Sequence, residues 1–428
     1  MQLRIEPGGI LSGTTTVPGD KSIAHRWVML AACADGASEI RGLPDSLDVA
    51  ATVRCVASAY GLDVPPADAL SVIGNGFAGA SREALDLDCA NSGTSMRLLA
   101  GLLAGRAGTT VLRGDESLSR RPMERVAAPL REMGATVTTT DGHAPVEVRG
   151  GALTGIAHAS PVPSAQVKSA VLLAGVQAEG TTTVTEGAVS RDHTERALRA
   201  LEAPVEIADG AVTVSAFQHA GFEGDVPGDP SSAAFILAAA AATGGDVAVR
   251  DVGLNPTRTQ FVEVMHRMGV AIRTRELWES MREPAGILEV EAGSALRGVT
   301  VPAAELPLVI DEVPVLAALA ALAEGESRFE GAAELRVKES DRLAGLESGL
   351  RALGADVGIE GDALVVAGGG LAGGHHEAGA DHRMGMALTV AAIGARGDCF
   401  IDGLEWADVS FPGFVETLVG LGALAEPA

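Results

Sequence analysis

Of the 32 basic side chains in this 428-residue chain, only Lys21, Lys168 and Lys338 are lysines. Two of them lie in the most polar strings, Gly19-Asp20-Lys21-Ser22 with Arg26 just beyond, and Arg336-Val337-Lys338-Glu339-Ser340-Asp341-Arg342. In a chain that otherwise uses arginine, a lysine there supplies a compact, rotatable ammonium. Arg120-Arg121-Pro122, Arg191-Asp192-His193 and Asp381-His382-Arg383 add further cations. Singly, each string fits a solvated charge pair. Together they fit the binding of small anions, because guanidinium forks match phosphate and carboxylate. Acids accompany these cations: Asp311 heads a further apolar helix, and Glu339 sits beside Lys338. A carboxylate among cations is held ionised or poised for proton transfer. Asp311 fits a helix N-cap equally well.

A sixfold repeat of about 70 residues positions these strings. Each copy runs from a polar motif through an Ala/Leu-rich helix and a glycine to a short strand. The motifs are Lys21-Ser22-Ile23, Asn91-Ser92-Gly93, Ser164-Ala165-Gln166, Asp229-Pro230-Ser231, Asp311-Glu312-Val313 and Asp381-His382-Arg383. Second, amphipathic helices over 126–133, 261–268 and 346–353 end at Gly134, Gly269 and Gly354. Paired strand-like runs with an Asp-Gly turn follow, as at 205–207 and 212–214. The unit reads β-α-β-α-β-β. The sixth copy stops near Leu421, and its missing strands are expected from 3–5 and 14–17 at the N-terminus. Residues 234–242 and 315–322 are apolar all round, as buried helices are. Three such helices inside three sheets make one half, and six copies make two. The shared string Val-Pro-Gly-Asp at 17–20 and 226–229 marks two crossovers between halves. We expect one domain of residues 1–18 and 228–428, a second of 19–227, and a two-strand hinge. Polar motifs at helix N-termini facing a cleft would be natural anion seats.

The formal charge of −24 disfavours a nucleic-acid or anionic-membrane footprint. No apolar run reaches the length of a membrane span. The N-terminus has neither a signal-peptide nor a transit-peptide pattern, so a cytoplasmic chain is expected. Cys33, Cys55, Cys89 and Cys399 form no CxxC pair and read as buried reduced thiols. Gly74-Asn75-Gly76-Phe77-Ala78-Gly79 matches GxGxxG, but no long apolar helix follows it, so we read a turn. In the Lys21 string, Asp20 separates Gly19 from the lysine, unlike a P-loop. His375-His376-Glu377 is read as a surface loop and not as a metal site. Nothing here calls for a metal, nucleotide or flavin.

The strings Pro18 through Arg26, Asn91 through Arg97, Arg121-Pro122-Met123, Ser164 through Ala170, Arg191 through Glu195, Leu335 through Leu343, and Asp381 through Met384 span nearly the whole chain. In combination they resemble the 5-enolpyruvylshikimate-3-phosphate synthase family, in its bacterial class II branch. The resemblance implies two inside-out α/β domains of three βαβαββ units each, the enolpyruvyl transferase fold. It implies transfer of the enolpyruvyl group of phosphoenolpyruvate to the 5-hydroxyl of shikimate 3-phosphate with release of phosphate, without a cofactor, by a monomer. Lys21 would touch both substrates. Ser22, Arg26, Ser164, Ala165, Gln166, Ser190, Arg191 and Lys338 would hold shikimate 3-phosphate. Gly93, Arg121, Arg342, His382 and Arg383 would surround phosphoenolpyruvate. Asp311 would take the hydroxyl proton, and Glu339 would exchange protons with the methylene carbon.

Two departures qualify the resemblance. Val409 stands two residues before Phe411-Pro412, where many members carry lysine, so one phosphoenolpyruvate contact is absent or supplied otherwise. Gly93 is the residue of glyphosate-sensitive members, which implies inhibition by glyphosate. The alternative reading is a sister enolpyruvyl transferase acting on another hydroxylated acceptor such as UDP-N-acetylglucosamine. That enzyme uses a loop cysteine in the region 115–121, where this chain has none.

Overall fold

The computed structural model describes residues 1–62 and 69–428. The chain divides into two units. Met1–Pro18, Pro227–Trp278 and Pro284–Ala428 form a terminal unit, and Gly19–Val226 with Glu279–Glu283 forms an inserted unit. Among the described residues, each holds three sheets and three buried central helices. The helices are Lys21–Cys33, Gly93–Leu102 and Ala165–Gly175 in the inserted unit, and Pro230–Thr243, Val313–Leu322 and His382–Ile393 in the terminal one. Within each unit these three pack on one another at the centre of an apolar core. Placing helices inside and sheets outside inverts the usual α/β layering. It is feasible here because the helices are built mostly of small and aliphatic residues, with their polar side chains concentrated towards the N-terminal turns. A Cβ at Gly101 would lie 2.1 Å from the Ala170 carbonyl oxygen, so this close approach of two helices requires glycine.

The second copy shows the unit most plainly. Strand Leu85–Asp88 leads into helix Gly93–Leu102, strand Gly108–Arg113, helix Glu124–Glu132, and the hairpin Thr136–Thr140 with His143–Gly150. Across its sheet the order is first, second, fourth, third, with the first two strands parallel and the rest antiparallel. The same order recurs in the copies that begin with Ala157–Ser160 and Thr300–Val301. Helix Glu124–Glu132 stops where expected, at a Gly134 with φ +104°. There Gly134 N–H donates to the Arg131 carbonyl, and Ala135 N–H to that of Leu130, closing the helix end.

One strand assignment is corrected. Gln2–Ile5 does complete the sixth sheet, between Cys399–Asp402 and Ala425–Pro427, so both chain ends lie in one sheet. Ser12–Thr16, however, runs parallel to Asp246–Gly253 and opens the fourth copy. The sixth copy supplies its own third strand at Ala425–Pro427, whose Ala-Glu-Pro sequence carries no β-branched or aromatic signal. By the same logic Glu223–Asp225, just before the second crossover, pairs with Asp35–Arg41 and opens the first copy. Each crossover therefore follows a strand that stays behind in the unit the chain is leaving.

Gly76 to Gly79 is a turn with a short 3-10 helix at Phe77–Gly79. Gly374–Glu377 is an edge strand and not a loop, with His375 Nε2 2.5 Å from an Asp402 carboxylate oxygen. The glycines on both sides of it had masked the strand.

Candidate functional site

Five of the six central helices are capped by the side chain of their own polar motif. Asp20, Ser92, Ser164, Asp229 and Asp381 each accept a backbone N–H from the first turn. The fifth differs. Its N-cap is Glu312, which makes no side-chain cap bond, and Pro314 fills the first turn. Asp311 lies one residue before the cap, so the capping role open to it in the sequence is not the one it plays. Glu312 is 2% exposed and takes a hydrogen bond from the Ser231 hydroxyl. Ser231 also accepts from Arg258 at 3.0 Å, and Arg258 donates to Asp229 at 2.8 Å.

In the terminal unit, Arg342 is the hub. It is 1% exposed and meets three carboxylates: Asp381 through Nε at 2.8 Å, Glu339 through Nη2 at 2.5 Å, and Asp311 with Nη1 at 3.6 Å. Lys338 Nζ stands 4.0 Å from the same Asp311 oxygen. Arg383 donates to the Asp311 main-chain carbonyl at 2.8 Å, and its own N–H binds Asp381. Burial works against the charge of Arg342, yet Glu339, Asp381 and Asp311 together raise it above the ordinary arginine value. Burial likewise pushes Asp381 up, and Arg342 overrides it to hold that carboxyl below its usual range. His382 begins the helix next to Arg383 and is 7% exposed. Here every cation has an acid beside it, an arrangement suited to moving protons beside bound anions.

The inserted unit carries a second group. Lys21, the first helical residue after Asp20, reaches Asp48 at 2.9 Å, and Asp48 is in the first turn of helix Leu47–Tyr60. Arg26 is buried. It donates through Nε to Thr194, Nη1 to the Ser22 carbonyl and Nη2 to Ser169, each at 2.7 Å. Burial lowers its pKa to about 10, with Glu195 and Asp20 opposing. Gly93 opens its helix close to two guanidinium groups: a Cβ there would meet Nη1 of Arg97 at 3.2 Å and Nη1 of Arg121 at 3.3 Å. Arg121 donates to Asn91 at 2.7 Å. Gln166 ties two helix starts together, donating to Thr94 at 2.9 Å and accepting from Arg97. Ala165 is the first residue of its helix, after the Ser164 cap. Ser190 and Arg191 lie in the segment between strand Thr181–Glu186 and helix His193–Ala200.

The family model for EPSP synthase (3-phosphoshikimate 1-carboxyvinyltransferase) matches residues 5–418. The chain belongs to this family. A curated relative from Halorhodospira halophila, named 3-phosphoshikimate 1-carboxyvinyltransferase, is 50% identical over 99% of this chain and 96% of its own. One of the same name from Acidithiobacillus ferrooxidans is 46% identical, covering 99% and 98%. Among solved structures, an EPSP synthase from Acinetobacter baumannii superposes with a TM-score of 0.90 at 40% identity, over 99% of both chains. The fold is thus the two-domain enolpyruvyl transferase fold, and the acceptor alternative is not favoured.

Within this EPSP synthase family member, the expected residues fall into the two groups above. Lys21, Ser22, Arg26, Gly93, Arg121, Ser164, Ala165, Gln166, Ser190 and Arg191 are in the inserted unit, and Asp311, Lys338, Glu339, Arg342, His382 and Arg383 in the terminal one. The motifs assign no role to the partners that orient them. Asp48, Arg97, Glu186 and Thr194 each contact a candidate residue. Arg97 and Thr194 lie inside strings the sequence singles out but had no role of their own, and Glu186 carried only the signal of a lone acid ending a Thr/Val strand four residues before Ser190. Lys168 is 5% exposed and pairs with Glu186 and Glu195.

Proposed function

We propose that the two groups of residues bind the two substrates of enolpyruvyl transfer and carry its proton steps. The enzyme is a transferase that moves the enolpyruvyl group of phosphoenolpyruvate to the 5-hydroxyl of shikimate 3-phosphate and releases phosphate. In our reading, Ser22, Arg26, Ser164, Ala165, Gln166, Ser190, Arg191 and Lys338 hold shikimate 3-phosphate. Gly93, Arg121, Arg342, His382 and Arg383 hold phosphoenolpyruvate, and Lys21 serves both. Cations and helix N-termini meet phosphate and carboxylate with charge-assisted hydrogen bonds.

The reaction is addition followed by elimination. Asp311 takes the proton as the 5-hydroxyl oxygen bonds to C2 of phosphoenolpyruvate, and Glu339 gives a proton to C3. The tetrahedral adduct then loses a proton from C3 to Glu339, and the C2–O bond to phosphate breaks, restoring the double bond, with the hydroxyl proton leaving on the released phosphate. General acid–base help of this kind is worth about 10²–10⁴-fold. Fixed cations that stabilise the charged adduct supply a larger share. The observation that carries the assignment is the shared guanidinium of Arg342, which touches both Asp311 and Glu339. One rigid, buried group sets the spacing of the two proton-handling carboxylates.

Exchange of solvent deuterium into the C3 hydrogens of phosphoenolpyruvate tests this reading. With shikimate 3-phosphate present, the wild type exchanges and Glu339→Gln does not; exchange at the wild-type rate in the variant removes Glu339 from the role. We further propose a cytoplasmic monomer. The four buried free thiols suit a reducing compartment, and the family resemblance supports the single chain, which sedimentation can check.

A further inference from the structure

Glu186 ends strand Thr181–Glu186 in the inserted unit with a side chain only 6% exposed. A buried carboxylate needs partners for its lone pairs, and the identity of those partners is informative. One oxygen accepts the backbone N–H of Ser164 at 2.7 Å. The other accepts the hydroxyl of Ser190 at 2.5 Å and lies 3.1 Å from Lys168 Nζ. Lys168 is fixed from the far side by Glu195 at 2.8 Å, and it reaches the Ser190 carbonyl at 3.4 Å. One acid therefore joins the start of helix Ala165–Gly175 to the segment that carries Ser190 and Arg191.

We infer that Glu186 is a positioning residue for shikimate 3-phosphate. It sets the distance between Ser164 and Ser190 before the substrate arrives, and the Lys168 ammonium balances its charge, so that an acid can stand beside a phosphate-binding segment. Burial raises the pKa of Glu195 while Lys168 opposes it, so the lysine is shared between two acids and cannot be given up to a ligand without cost. This places Lys168, unlike Lys21 and Lys338, in the scaffold under the site. Preorganisation of this kind acts on affinity through order in the free protein and not through contact with the ligand.

The inference rests on the reading of Ser164 and Ser190 given above, and the test separates the two. Calorimetric titration of shikimate 3-phosphate alone is measured for wild type, Glu186→Ala, Glu186→Gln, Ser190→Ala and the double variant Glu186→Ala/Ser190→Ala, with KM for phosphoenolpyruvate and Tm taken in parallel. Glu186→Ala weakens shikimate 3-phosphate by about tenfold, the size of one lost charge-assisted hydrogen bond. KM for phosphoenolpyruvate at saturating shikimate 3-phosphate changes less than about twofold. Glu186→Gln, which keeps an acceptor oxygen, recovers part of the affinity. The double variant is no weaker than about the worse single one, since the two residues act as a unit. Full affinity in Glu186→Ala, with a loss in Ser190→Ala, overturns the inference alone. Full affinity in both overturns the reading of Ser190 as well. Equal losses for both substrates alongside a fallen Tm, or multiplicative effects in the double variant, show a structural residue and overturn the inference too. If Glu186→Ala does not fold, Glu186→Gln decides: wild-type selectivity between the substrates together with a lowered Tm overturns it.

Discussion

Asp311 Oδ1 lies 3.6 Å from Nη1 of Arg342 and 4.0 Å from Nζ of Lys338, so the carboxylate assigned to the hydroxyl proton faces two cations at once. Arg342 is locked by Asp381, whereas Lys338 keeps a quarter of its side chain exposed. The first cation fixes the geometry and the second can follow the substrate. Asp311→Asn keeps the shape and loses the base, and kcat is expected to fall by about 10²–10⁴-fold. Binding of shikimate 3-phosphate, measured by calorimetry, stays within a few-fold of wild type. A loss in binding as large as the loss in kcat would make Asp311 an anchor and not a base.

Lys21→Ala and Lys338→Ala are expected to abolish detectable turnover in a phosphate-release assay. Lys21→Arg is informative because it keeps the charge. Its planar fork cannot reproduce the geometry of an ammonium that starts a helix and reaches Asp48, so turnover is expected to fall by at least about 10²-fold. Full activity in Lys21→Arg would reduce this lysine to a general positive charge.

Gly93→Ala places a methyl group 3.2 and 3.3 Å from the Arg97 and Arg121 guanidinium ends, which must shift by a few tenths of an ångström. Both side chains are flexible at that end, so stability is expected to change by less than about 1 kcal/mol. The effect appears in the site: KM for phosphoenolpyruvate rises a few-fold. The inhibition constant of glyphosate, with its longer backbone, rises by about 10- to 200-fold, the range of one methylene in a tight pocket. Inhibition by glyphosate at the same concentration in both proteins would contradict a steric role for Gly93.

His25 links three helices. Its Nδ1 lies 2.6 Å from Thr52 Oγ1, which lies 2.6 Å from Ser95 Oγ, and Ser95 reaches the Ser92 cap. Burial pushes its pKa down to about 3, Asp48 opposes, and Lys21 and Arg26 add to the depression. The unfolded chain, with a histidine near 6.5, binds this proton at a pH where the folded one does not. Stability from neutral His25 is therefore complete above about pH 6.5 and is lost progressively as pH falls towards 3. Denaturant unfolding between pH 7 and 4 is expected to show a slope that flattens in His25→Gln. Equal slopes would mean that other groups dominate acid unfolding.

Much of this architecture was legible because the repeat writes its own boundaries. Five of the six polar motifs supply a cap that binds first-turn N–H groups, and each following helix is too apolar to lie anywhere but inside. Ser12–Thr16 and Glu223–Asp225 were harder, since their partners, Asp246–Gly253 and Asp35–Arg41, lie far away along the chain, one ahead and one behind, and no local pattern records so distant a partner. At the site, the types that bind anions stand out in composition. Residues that orient them do not: Asp48 looks like an ordinary helix position, and neither Glu186 nor Thr194 shows what it orients until the fold brings them against Ser190 and Arg26.

Under the proposed function, the helix-start motifs handle phosphoenolpyruvate and shikimate 3-phosphate together. The most direct measurement is phosphate release from phosphoenolpyruvate, with and without shikimate 3-phosphate, in the wild type and in Lys338→Met. Release is predicted only when both substrates meet the wild-type protein, with none from the variant. Phosphate released without shikimate 3-phosphate, or at the wild-type rate by Lys338→Met, would contradict it.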